Sequence, residues 1–540
     1  MDNSAAATVV RLLEQMKADR SRHEPVWRSC YEHTHPMRSH GFENSILDAQ
    51  EADKKQADLI DTTGTEAAEL LASNIVSGMT PASSVWFEMD TGAAASDSGA
   101  EDPAKRWLSN AARLLWTNIH ASNFDAESLD AIQDAVDAGW FVLYVEEAQG
   151  GGFKFECWPL SECFIASSVP GGRVDIVYRQ FELSAMQAVE KYGADNLSEK
   201  TAKLAQDKPH DKVLFVHAIE PREVSVVGAR MAKNLPVSSR IIEVGQKRLV
   251  KESGYHEMPA IVPRWTRIPG SPYGLGQAFK ALPAMRQINA ICRMELAALD
   301  LSIAGMWIAE DDGVLNPRTV KVGPRRIIVA NSVDSMKPLV SGSDFNVTFS
   351  KIEQIQAQIR KIMMADQLQP QDGPAMTATE IHVRVGLIRQ LLGPIYGRLQ
   401  AEYLQPLIER CFGLMYRAGV LGQAPESLQG RGFTVRYIGP LARAQKLEDV
   451  TAIERLYTTA GAMVQASQDV SLLDNIDHDT ALREIAADLG TPAKIIRAIE
   501  DRDALREDRA QAQQEAQQQQ QVAAMAQSAG DAAIKRAAAA

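Results

Sequence analysis

Apolar residues recur every three to four positions through most of this 540-residue chain, and every second position through one internal stretch. The first period predicts amphipathic helices and the second half-buried strands. "MDNSAAATVVRLLEQMKADR" opens with the helical period. "DTTGTEAAELLASNIVSGMTP" carries an Asp/Thr cap region near Asp61, an apolar stripe, and a stop at Gly78 before Pro81. "DPAKRWLSNAARLLWTNIH" puts Pro103 in a first turn and aligns Trp107, Leu108, Leu114, Leu115 and Ile119. A further helix over 126–138 ends at Gly139.

At Trp140 the period falls to two. "WFVLYVEEAQGGGFKFECWPL" reads as a hairpin around Gly150, Gly151 and Gly152, and "FIASSVPGGRVDIVYRQFEL" as a second around Pro170-Gly171-Gly172. A short helix follows Ser184, then strands at "KVLFVHAIE", "RIIEVGQKRLVKESG" and "MPAIVPRW". Residues 140–265 therefore form a β-rich insert between helical parts.

The helical period returns after "PGSPYG" and predicts one long helix over 275–304 through Leu275, Phe279, Leu282, Met285, Ile288, Leu296, Leu299 and Ile303. A turn-rich segment holds the strand-like "TVKV" and "RIIVA". Ile352, Ile355, Ile359 and Ile362 mark the next helix. It gives way to the polar "DQLQPQDGPAM", after which a helix from Thr377 to about Gly419 contains Pro394 and Pro406 and should bend there. Helices follow near 441–470 and 479–500. The Gln/Ala-rich tail lacks large apolar side chains, leaving single helix or disorder open.

Composition narrows the functions. The chain is 45% hydrophobic and 23% charged, as in an ordinary folded protein. A net charge of −12 and a pI of about 5.5 disfavour a binder that coats phosphates. Cys30, Cys157, Cys163, Cys292 and Cys411 form no CxxC pair, so each is expected as a small core residue in a reducing compartment. No signal peptide is read at the start, and "LAALDLSIAGMWIA" is too short for a membrane span and carries Asp300. The expectation is a soluble protein with no membrane partner.

Catalytic motifs are missing: there is no phosphate loop, GxSxG elbow, HExxH or EF-hand spacing. His33, His35 and His40 in "HTHPMRSH" lack a matched carboxylate or thiolate, so a metal role is disfavoured. Asp474, Asp477 and Asp479 in "DNIDHD" read as a solvated acidic helix start. Arg325 with Arg326, and Arg360 with Lys361, read first as solvated faces, without the aromatic interleaving of a base-stacking groove. No catalytic residue, metal or cofactor is expected.

Several long stretches nevertheless resemble one family. "LIDTTGTEAAELLASNIVSGMTPASSVWF", "PRWTRIPGSPYGLGQAFKALPAMRQIN", "MTATEIHVRVGLIRQLLGPIYGRLQAEYLQPLIER" and "YIGPLARAQK" are similar, in this order over roughly 10–490, to the portal proteins (head-to-tail connectors) of short-tailed double-stranded DNA bacteriophages. The resemblance implies an α+β, mainly helical portal fold, assembled as a dodecameric ring around a DNA channel at one capsid vertex. It implies a wing over 1–270 (helical 1–139, β-rich 140–265), a first stem helix over 271–304, a clip over 305–345 and a second stem helix over 346–365. A tunnel loop over 366–376, a kinked wing-to-crown helix over 377–420, a crown over 421–509 and a tail over 510–540 complete it.

In these terms Asp366, Gln367, Leu368, Gln369, Pro370, Gln371, Asp372 and Gly373 face DNA. The glutamines offer neutral hydrogen bonds, whereas each cation held on phosphate would deepen a binding well that a ring repeats many times. Thr377 and Glu380 form a capping box that starts the next helix. Lys351, Arg360 and Lys361 are candidate channel-facing residues of the stem. Arg318, Lys321, Arg325 and Arg326 in the clip are candidate contacts for the terminase large subunit and later the tail adaptor. The implied partners are further copies of the chain, double-stranded DNA, terminase, tail adaptor and tube proteins, and the major capsid and scaffolding proteins. The implied location is the virion, with host cytoplasm during assembly. Two other readings remain: a metal-dependent enzyme on nucleic acid using Asp311 and Asp312, and a coiled-coil scaffolding protein. The β-rich insert and the many Gly/Pro helix stops weigh against the second.

Overall fold

Helices begin where the apolar period begins. The computed structural model describes residues 3–42, 49–91, 102–225, 231–304, 306–309, 336–339, 345–365, 393–428, 433–437, 440–489, 497 and 501–514. In it α1 (Asn3–Arg20) buries Ala6, Val9, Val10 and Leu13 as one stripe. α2 (Glu24–Thr34), α3 (Pro36–Ser39), α4 (Ala49–Asp58) and α5 (Thr63–Met79) follow. Before α5 the Asp61 carboxylate accepts the Thr63 amide at 3.1 Å, an Asx turn, while the N-cap residue Thr62 makes no side-chain capping bond. After β1 (Phe87–Thr91), α6 (Asp102–His120) buries Ala104, Leu108, Ala111, Leu115 and Ile119. Leu114, expected on that face, is exposed; alanines carry the stripe in its place. α7 (Phe124–Asp137) ends at Gly139, whose φ of +94° suits glycine. A side chain there would also strike the backbone of Leu275 and Gly276.

The β-rich insert is two sheets rather than one. β2 (Leu143–Glu147) and β3 (Phe153–Cys157) form the first hairpin, with positive φ at Gly150, Gly151 and Gly152 as its turn requires. The second hairpin, β4 (Cys163–Ala166) and β5 (Ile176–Ser184), leads into α8 (Ala185–Tyr192), where Ser184 and Gln187 form a full capping box. α9 (Glu199–Asp207) precedes β6 (Lys212–Pro221), β7 (Val237–Glu243), β8 (Arg248–Tyr255) and the two-residue β9 (Ala260–Ile261). The strand orders are β3-β2-β9 and β4-β5-β6-β7-β8, antiparallel throughout. One face of the large sheet, with Phe164, Tyr178, Val216 and Ile242, packs on α1. The other carries two separate clusters. Cys163, Ile165, Val177 and Ile219 join Trp27, Trp140 and Trp158, while Phe215 joins Ala188 and Leu197.

A small pair, β10 (Thr266–Arg267) and β11 (Gly274–Leu275), returns the chain to helix. α10 (Gln277–Ala304) buries Leu282, Met285 and Ile288 and, from residue 290 to 300, buries nothing. β12 (Met306–Ala309) and β13 (Met336–Leu339) pair antiparallel, and α11 (Phe345–Ile362) packs on α10. These two strands are not legible from the sequence, and "TVKV" and "RIIVA" lie outside the described residues. Beyond, helix over 393–399 runs into a π-turn at Gln400–Leu404 and then α12 (Gln405–Arg417). Pro406 has no N–H to donate to Glu402, and the Gln405 amide bonds back to Gln400 instead. The bend expected at Pro406 is thus a shift in the helix ladder.

The chain divides into two units: Met1–Ala82 with Asn118–Ala418, and Ser83–Thr117 with Gly419–Ala540. In the second, β1 pairs with β14 (Phe433–Tyr437), and Trp107 Nε1 donates to the Leu421 carbonyl at 3.1 Å. α13 (Pro440–Ser467), α14 (His478–Asp488) and α15 (501–514) follow. Asp477 accepts the amides of Asp479 and Thr480, so "DNIDHD" is a solvated helix start. Asp479 meets Arg502 at 3.0 Å and Arg506 at 2.6 Å. α15 crosses the boundary at 509/510, so the tail is helical at least to 514.

Candidate functional site

The two helices that converge on the β12–β13 ribbon are locked to one short segment before α5. Asn289 of α10 accepts the amides of Ile60 and Asp61 at 3.0 and 3.2 Å, and its own amide donates to Met285 O at 3.0 Å. From α11, Gln356 donates to the Asp61 carboxylate at 2.9 Å. Gln277 then donates to the Ile362 carbonyl at 2.6 Å, satisfying a free acceptor at the end of α11. Ile355, Ile359 and Met363 are buried on the inner side of α11. Burial, followed by the charges of Asp61 and Glu295, raises the Cys292 thiol above its ordinary range and keeps it neutral.

Past this anchor both helices present open faces. On α11, Lys351, Gln354, Gln358 and Lys361 are exposed at steps of three to four residues and form one stripe. Ten residues of helix separate the lysines, about 15 Å. Lys351 donates to Gln354 at 3.1 Å. Neither lysine, nor the half-buried Arg360, has a carboxylate partner among the described residues. Lys351 and Lys361 therefore share the stripe, while Arg360 lies to its side. On α10, Met294 (71% exposed), Leu296 (54%) and Leu299 (37%) stand in the stretch 290–300, which buries nothing, and Phe349 on α11 is 56% exposed. The two glutamines were readable as helical spacing, but only burial shows which apolar residues of α10 stand open.

The remaining candidates fall in two groups. Asp366, Gln367, Leu368, Gln369, Pro370, Gln371, Asp372, Gly373, Thr377, Glu380, Arg318, Lys321, Arg325, Arg326, Asp311 and Asp312 lie outside the described residues. The histidine motif has structural partners. His33 Nδ1 is 2.9 Å from Ser29 O, and the His35 Nδ1–H donates to Asp137 at 2.6 Å. Arg38 meets Asp134 and Asp130, and the Tyr31 hydroxyl donates to Asp134 at 2.8 Å, clamping α2 and α3 onto α7. Among the described residues no three His, Cys, Asp or Glu gather to hold a metal, and no helix is long and apolar enough to cross a membrane. Of the cysteines, Cys30, Cys163 and Cys411 are core residues as expected. Cys157 and Cys292 are half-buried, one on an edge strand and one where α10 leaves the core.

Known proteins share this chain at nearly full length. The probable portal protein of Bordetella phage BPP-1 is 26% identical over 508 residues, covering 93% of this chain and 90% of its own. The portal protein of Salmonella phage epsilon15 is 26% identical over 520 residues, again with 93% and 90% covered. A chain from the neck of an empty GTA particle covers 73% of this chain and 86% of its own length at 14% identity, with a TM-score of 0.35. The family described as bacteriophage head to tail connecting protein matches residues 6–496, and the chain belongs to it.

Proposed function

We propose that this chain is the portal subunit of a short-tailed phage, closing with further copies into a ring, a dodecamer, at one capsid vertex. As a head-to-tail connecting protein it is a structural component of the particle and not an enzyme. The ring passes double-stranded DNA inward during packaging and outward during ejection. The observation that carries the ring is the apolar surface of α10: Met294, Leu296 and Leu299 stand in water in a single copy, and a neighbouring copy would cover them. A head-to-tail contact of this kind closes when its rotation divides the circle.

In this reading α10 and α11 are the stem, 305–345 the clip, 1–270 the wing, 421–509 the crown, and 377–420 the helix between them. The Lys351–Lys361 stripe faces the channel. Two glutamines between widely spaced lysines give weak, repeated phosphate contact rather than a tight site, as a moving polymer needs. The loop over 366–376 is a collar on DNA. Arg318, Lys321, Arg325 and Arg326 meet the terminase during packaging and the tail adaptor afterwards, where charge sets encounter rate and partner choice. The capsid and scaffolding proteins contact the wing. Heads assembled in cells lacking this chain are expected to hold no packaged DNA and to carry no tail, with both defects reversed by supplying it. Tailed, DNA-filled heads in its absence would contradict the proposal.

A further inference from the structure

The large sheet leaves a gap between its two clusters on one face. Across that gap the paired register Arg179–His217–Ile241–Lys251 crosses four strands, and the space above it is a cleft of about 940 Å³. That volume is ample for a small ligand or a few residues of peptide. We propose that this cleft binds an acidic peptide segment of another protein, its carboxylates held by Lys191 and Lys251 beside the buried hydroxyl of Tyr192.

Charge pairing selects the ligand. Four carboxylates line the cleft, and each already has a cation. Lys154 meets Glu146 at 3.3 Å and Glu156 at 2.5 Å, Arg179 meets Glu162 at 2.8 Å, and Lys212 meets Glu182 at 3.1 Å. Lys191 and Lys251 are left over, exposed and without a carboxylate partner among the described residues. Tyr192 Oη, on the cleft wall, is buried with no hydrogen-bond partner among them, and burial pushes the phenol up to about 12, which keeps it a neutral donor. Burial first, and then the charges of Arg179, Lys191 and Lys251, push His217 down to about 3. The three cations thus act on one point in the cleft.

A nucleic acid fits less well. Its phosphates would run past four carboxylates, and the cleft offers no open indole face for a base or a sugar. Tyr144 stacks on Trp158 at 4.6 Å, and the Arg179 guanidinium lies 4.9 Å from the centre of the same ring. Both groups thus crowd the indole that lines the cleft. An acidic peptide needs only point contacts with ammonium groups and apolar wall from Phe181.

The test titrates the full-length protein with a fluorescein-labelled ten-residue peptide of alternating Glu and Leu, read by fluorescence anisotropy. Saturable binding is expected, with at least a ten-fold loss in the Lys191→Glu/Lys251→Glu variant and a smaller loss in Tyr192→Phe. Both lysines are exposed, so an unchanged melting temperature is expected alongside the lost affinity. No saturable binding to the native chain would overturn the proposal, as would equal affinity in the charge-reversed variant. Displacement of the peptide by an oligothymidine of equal charge would overturn it in favour of a phosphate site.

Discussion

Single side chains set both the stability of the fold and its response to acid. Arg264 is buried and meets Glu402 of the π-turn at 2.8 Å, and its backbone amide donates to the same carboxylate at 3.1 Å. Removing one partner leaves a buried charge alone, so Arg264→Ala should cost about 3–5 kcal/mol, read as a lower melting temperature. Arg264→Met with Glu402→Leu should recover much of that loss, since it removes both charges together; equal loss in the two variants would count against a buried-charge origin. His217 acts in the same direction as a carboxylate that is paired in the folded state, because folding lowers its pKa. It titrates near 6.5 when unfolded and at about 3 when folded. Between those values the unfolded chain binds a proton that the folded chain refuses, so stability falls as pH drops through that window. His217→Gln should therefore flatten the fall of melting temperature between pH 6 and pH 4, and an unaltered slope would argue that other groups control it.

At the level of elements, the interplay of period and burial explains what could be read from the sequence. α1, α5, α6, α7, α10, α11 and α13, both glycine hairpins and the Ser184 start of α8 were legible because period and turn chemistry are local, whereas α2, α3, α4 and α9 were not read. The split of the β-rich insert into two sheets was not, since which hairpin pairs with β9 depends on contacts over a hundred residues away. β12 and β13 were missed for a related reason: "MWIA" and "MKPL" are four residues each and gain strand character only from one another. Of the candidate site, the lysines of α11 were legible as residue types. Their grouping with Gln354 and Gln358, and the exclusion of Arg360 from that stripe, required knowing which side of α11 is buried. The apolar period of α10 likewise reads as core to its end, although residues 290–300 bury nothing. That open stretch gives a direct prediction. Met294→Glu with Leu296→Glu should leave the circular dichroism and melting of a single copy nearly unchanged, because neither side chain is buried in it. Sedimentation should show the variant as monomer where the native chain assembles; assembly at native strength would move the interface elsewhere.

On the scale of the whole molecule, the proposed function makes this mainly helical chain with its β-rich insert one sector of a closed ring. The acidic balance of −12 suits this role better than a role in gripping DNA, because a channel must not hold what it passes. Asp61 ties both α10 and α11 to the segment that precedes α5, through Asn289 and Gln356. Family membership supplies the head-to-tail position, and the exposed apolar residues of α10 supply a reason for copies to meet. Electron microscopy of the purified full-length chain tests the claim most directly. The account predicts top views of closed rings with a stain-filled axial hole, and a particle mass close to twelve times the 59.1 kDa chain. Monomers, open filaments or compact particles without a central hole, at concentrations where the protein is folded, would contradict it.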